Sequence, residues 1–238
     1  MCLARLAATG GRGDVRVDAV TKPNETRMYG RTRRLVCGLA ASASLFVMLP
    51  AETASAYTIT ITSGTRAIYL QVGRGGYTGF YNSGGTPGNN ATVNVVSVAV
   101  PVASVGSGAA QVMTSNSTVS QSPVDGFAFC NPPSQVYIGA WSRPGAGTGV
   151  ATLTVSTPAN LTSGSDSIPF SQISWVMSGN GDAVFQFPNG TFTAGAQTLA
   201  TFPANTWKEQ CMTFSYANTV VPAAGIYTGR ATYTLSLP

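Results

Sequence analysis

Apolar residues recur at every second position in several short runs of this chain. Tyr57–Thr62 (YTITIT) sets Tyr57, Ile59 and Ile61 on one side and three threonines on the other. Gly149–Ser156 does the same with Ala151, Leu153 and Val155. The last long run, Gly225–Leu237, places Tyr227, Gly229, Ala231, Tyr233, Leu235 and Leu237 in one phase, and Thr228, Arg230, Thr232, Thr234 and Ser236 in the other. A period of two is that of a half-buried strand; a helix needs about 3.6. No stretch beyond residue 56 carries the helical period. That part is rich in Thr, Ser, Val, Gly, Ala and Asn and poor in Lys, Glu and Leu, which favours strands over helices.

Further strands are expected at 67–72, 92–102, 126–130, 135–141, 173–177, 183–187, 198–202 and 210–216. A phase slip at Val95-Val96 suggests a bulge or burial on both faces. Asn180-Gly181, between two apolar runs, reads as a hairpin turn. Residues 73–90 read as a long Gly- and Asn-rich loop. About ten short strands with frequent turn signals predict a two-layer antiparallel β-sandwich of Greek-key type, with a closed barrel as the alternative.

Residues 1–56 read differently. Arg31, Arg33 and Arg34 precede an apolar run from Leu35 to Leu49, and Ala54-Ser55-Ala56 forms a small-residue cleavage signal. This is the order of a secretory signal peptide. Its apolar run of about 15 residues falls short of the roughly 20 that span a bilayer, and no later run is longer, so no membrane span is expected. Met28 is the expected start and residues 1–27 an upstream extension, so Arg12-Gly13-Asp14 is set aside as an adhesion motif. Residues 57–238 then form one domain. They carry five basic residues (Arg66, Arg74, Arg143, Lys208, Arg230) and four acidic ones (Asp125, Asp166, Asp182, Glu209), a net +1 against +5 for the whole chain. That near-neutrality leaves no basic footprint for nucleic acid.

The chain contains no histidine, which removes His-based triads, Cys–His pairs and His-containing zinc sites. The four carboxylates lie in no recognisable motif, and Glu209 beside Lys208 reads as a solvated charge. Ser178–Asp182 (SGNGD) reads as a turn rather than a calcium loop, since it lacks the acidic ligands. Gly73–Gly79 misses the phosphate-binding glycine pattern. No catalysis, metal or cofactor is expected. Cys130 and Cys211, the two cysteines beyond residue 56, are expected to form a disulfide in an exported chain. Trp141 and Trp175 lie inside apolar strands and read as core. Trp207, among polar neighbours, is the candidate sugar-contact residue, with Tyr77 and Tyr81 as loop aromatics that would join it in a monomeric adhesive or carbohydrate-binding module.

The closing pattern, Phe214–Asn218 (FSYAN) followed by AAGIYTGRATYTLSLP at 223–238, resembles the C-terminus of secreted bacterial fimbrial subunits. It is similar both to pilins of the chaperone–usher class and to spore-coat-protein-U-like proteins. The resemblance implies an immunoglobulin-like sandwich without its final strand, completed by β-augmentation from a periplasmic chaperone and then from the next subunit. It implies a fimbrial, pilus or coat-type subunit at the bacterial surface, with copies of itself, a chaperone and an usher as partners. Tyr57, Ile59 and Ile61 would be the donor plugs. Tyr227, Ala231, Tyr233, Leu235 and Leu237 would form the acceptor strand. A second reading makes 57–72 an ordinary hairpin within a self-contained sandwich.

Overall fold

A computed structural model describes residues 67–74, 94–124, 126–145, 148–179 and 187–237, together with the backbone of three short strands between residues 2 and 18. The expected strand 183–187 and the Asn180-Gly181 turn fall largely outside these residues, as do Tyr57, Ile59, Ile61, Tyr77 and Tyr81.

In chain order the strands are β1 (Cys2–Leu6), β2 (Ala8–Thr9), β3 (Gly13–Asp18), β4 (Ala67–Val72), β5 (Val95–Val100), β6 (Gln111–Val112), β7 (Thr114–Ser115) and β8 (Val136–Arg143). They continue with β9 (Val150–Thr157), β10 (Asn160–Ser163), β11 (Asp166–Pro169), β12 (Ile173–Ser178), β13 (Gly190–Thr191), β14 (Gly195–Pro203), β15 (Lys208–Tyr216) and β16 (Ile226–Ser236). The only helical pieces among the described residues are two short 3-10 turns, Val102–Ser104 and Phe170–Gln172.

The strands form two sheets. The larger contains β14, β9, β10, β11, β16, β5 and β7, with β1 to β3 inserted; the smaller runs β13-β12-β15-β8-β4, with β6 beside the far end of β15. Pairing among the strands from β4 onward is antiparallel. The chain crosses between sheets at residues 111–115: Gln111 and Val112 pair with β15, while Thr114 and Ser115 pair with β5. The architecture is the expected all-β sandwich.

Alternation decides which side chains enter the core. On β9, Ala151, Leu153 and Val155 are buried; on β12, Ile173, Trp175 and Met177 are buried while Val176 stays exposed. Between the sheets, Phe192 meets Phe170 edge-on at 5.2 Å, Trp175 at 4.8 Å and Phe214 in a stack at 6.2 Å. The Trp175 indole N–H donates to the Pro188 carbonyl at 2.9 Å, so this large ring is buried without an orphaned donor.

The expected strand at 126–130 is a correction. Apart from a single bridge between Gln121 and Ala128, residues 116–124 and 126–131 belong to no strand, and they pack on the outer face of the smaller sheet. The Cys130–Cys211 disulfide ties them down, with Cα atoms 5.6 Å apart. Glu209 is a second correction. It is only 2% exposed and accepts hydrogen bonds from Tyr137 Oη at 2.7 Å and Ser122 Oγ at 3.0 Å. The loop before Cys130 covers it, so a residue that reads as solvated is a buried anchor. Trp141 is buried as expected, on this outer face rather than within the main cluster between the sheets.

Candidate strand-pairing site

The run that closes the sequence becomes β16, and it lies inside the larger sheet rather than at its rim. Along one edge it pairs antiparallel with β9, from Thr232↔Ser156 to Ser236↔Thr152, and with β10 at Thr228↔Thr162. Of the proposed acceptor residues, Tyr227, Ala231, Tyr233 and Leu237 are buried and Leu235 is half-buried against the core. Tyr227 Oη donates to the Ala223 carbonyl at 2.8 Å. Tyr233 is wholly buried, its hydroxyl 3.7 Å from Met212 Sδ, and burial pushes its phenol far above its ordinary pKa because a phenolate has no solvation there. Gly229 is required: a Cβ at this position would lie 2.6 Å from Leu161 Cδ2 and 2.8 Å from Phe170 Cε2. The missing side chain lets these two residues reach the core beneath the strand.

The other edge of β16 faces a row one strand wide. Beyond that row stands β5, whose Val96 and Val100 are buried in the same core. Residues near the start of the chain fill the row. β1 runs parallel to β16 (Leu3↔Ile226 to Arg5↔Thr228) and antiparallel to β5 (Cys2↔Val100 to Leu6↔Val96). β3 runs antiparallel to β16 (Val17↔Gly229 to Gly13↔Tyr233) and parallel to β5. Among the described residues, β5 is thus joined to β16 through β1 and β3. Beneath the row, β4 of the smaller sheet packs against both β16 and β3.

No family model, curated protein or solved structure matches the chain.

The described residues gather no cluster of three or more potential metal-ligating side chains, and none of their helices is long and apolar enough to cross a membrane. Their two acidic side chains beyond residue 18 sit apart: Asp166 is exposed in the β10–β11 hairpin, and Glu209 is buried under the loop before Cys130. Trp207 is half-buried, and its ring stacks on Tyr69 with centroids 5.2 Å apart. The sequence reading placed acceptor residues on β16 but missed β5 as the far wall of the row. Its signal was present in the Val-rich alternation of 95–100, which has the same amphipathic phase as a strand lining a core.

Proposed function

We propose that residues 57–238 form a non-catalytic, exported structural subunit of fimbrial or coat type, completed by a strand added between β5 and β16. The observation that carries this reading is the occupant of the row. Its backbone partners along Ile226–Tyr233 come from residues 2–18, which precede the Ala54-Ser55-Ala56 cleavage signal. Neither a start at Met28 nor cleavage after Ala56 leaves them in the exported chain. The processed chain then exposes a long stretch of unpaired backbone on β16, facing β5 across a gap of about 10 Å, two strand spacings. An edge of that kind recruits another strand.

The YTITIT segment suits the row. Its alternate Tyr57, Ile59 and Ile61 match the two-residue phase of the core-facing positions Tyr227, Gly229, Ala231 and Tyr233. Each Ile buried there contributes about 1.5–3 kcal/mol. Only residues 63–66 separate the segment from β4, which underlies the row, so the same short tether serves the row of its own chain and that of a neighbouring copy. The donor comes from a neighbouring copy, with a periplasmic chaperone holding the row until subunits meet at an usher.

The test is to express the full-length chain with export and to compare the processed product with a variant lacking residues 57–62. Unheated samples should form ladders of subunits that collapse on heating, and the deletion should abolish them. Uniform monomers from the intact chain, with Ile59 crosslinked to its own β16, would replace subunit exchange with self-completion.

A further inference from the structure

The strands that fill the row have a pattern of their own. β3 (GDVRVD) alternates Gly13, Val15 and Val17 with Asp14, Arg16 and Asp18. Its register sets Gly13 opposite Tyr233, Val15 opposite Ala231 and Val17 opposite Gly229. Asp14 and Arg16 come opposite Thr232 and Arg230. Residues directly opposite in an antiparallel pair share one face of the sheet. Tyr233 and Ala231 are buried in the core, whereas Arg230 is exposed. The small and apolar members of β3 thus stand in line with the core-facing positions of β16, and its charged members with the outward ones.

β1 repeats the match against β5. Cys2, Ala4 and Leu6 lie opposite Val100, Val98 and Val96, and its one charged residue, Arg5, lies opposite Ser97. Val96 and Val100 are buried, and Val98 packs against the same core. A slip of one residue in either strand would exchange the two faces, so two separate segments meet the two-residue phase of the row independently. Together they leave no room for a donor: β1 pairs along Ile226–Thr228 and β3 along Gly229–Tyr233, the edge that YTITIT would need.

We propose that residues 2–18 are an intramolecular cap, which keeps the strand-accepting row closed in a chain translated from Met1 until cleavage separates the two. This rests on the strand-exchange reading and adds how exchange is held off. While attached, the cap competes at an effective concentration of up to about millimolar, above that of free subunits. Once the chain is cut after Ala56, the cap is a separate peptide and loses that advantage. A chain that folds before processing is therefore kept from joining its neighbours.

The test uses the full chain with processing blocked by Ala54→Leu and Ala56→Leu, purified in mild detergent, and a dye-labelled peptide of residues 57–62 as the probe. The uncut chain should take up the peptide at least about tenfold more weakly than the processed product, and should give no ladder in unheated gels. Val15→Asp with Val17→Asp in the same uncut chain should restore both, because charges would then stand opposite Ala231 and Gly229. Arg16→Cys with Arg230→Cys, in an uncut chain that also carries Cys2→Ser and Cys37→Ser, should form a crosslink, which reads the register without relying on the charged variant. Equal uptake by uncut and processed chains, absence of that crosslink, or a native precursor whose mass begins at Met28 would overturn the cap and leave strand exchange standing. No uptake by any form, the processed product included, would overturn both.

Discussion

The two edges of β16 are paired in opposite ways. One is held by β9 and β10, which belong to the same contiguous body of chain and place Ala151, Leu153, Val155 and Leu161 in the core. The other is held by β1 and β3, far away in sequence. Both edges are paired with neighbouring strands. On the proposed function they differ in whether the partner is permanent: the β9 edge belongs to the fold, and the β5-facing edge would be the place where a strand is exchanged.

That contrast can be broken most sharply at the exchangeable side. Replacing Ile59 by Asp should eliminate subunit ladders, because a charge would have to enter the core without a partner. Denaturing gels of unheated samples read this directly. Removal of the disulfide by Cys130→Ala with Cys211→Ala should cost about 4 kcal/mol, since the loop it closes spans 81 residues. It acts on the smaller sheet and should leave laddering intact; urea unfolding and the same gels would show whether the two properties separate. On the permanent edge, Leu153→Ala should lower stability by about 2–5 kcal/mol whether or not a donor is present. A loss that disappears when the donor segment is supplied would contradict the division between edges.

Tyr233 faces the core from the strand shared by both edges. Burial raises its folded pKa above the ordinary value near 10. The folded state therefore holds the proton more tightly than the unfolded chain, and stability present below pH 10 declines as pH rises beyond it. Tyr233→Phe should flatten that decline in alkaline urea titrations. At the small end, Thr154→Ala on the outer face should change stability by no more than about 0.5 kcal/mol.

Most strands were legible because alternation is a local property. β9, β12, β15 and β16 appear within a few residues of their expected bounds. The β10–β11 hairpin was missed. It has only Leu161 and Ile168 to bury, among Thr, Ser, Asn and Asp, although Gly164 at φ 60 marks its turn. Two other errors share one cause. The loop before Cys130 and Glu209 take their environment from chain segments far away, and no local pattern encodes that. A carboxyl group under a loop and one in water look alike in sequence until Tyr137 and Ser122 are brought to it. The acceptor half of the candidate site was readable on β16, whereas its far wall, β5, lies more than a hundred positions earlier in the chain, and no local pattern sets the two strands opposite each other.

The row beside β16 already holds strands running both ways, β1 with it and β3 against it. Its backbone groups therefore carry no arrow. In a filament built on this row, the hydrogen-bond ladder could not tell head from tail. Polarity would rest on the tether at residues 63–66: its reach fixes which end of the donor enters first, so a longer linker would be expected to scramble the direction of growth before it weakened a single joint.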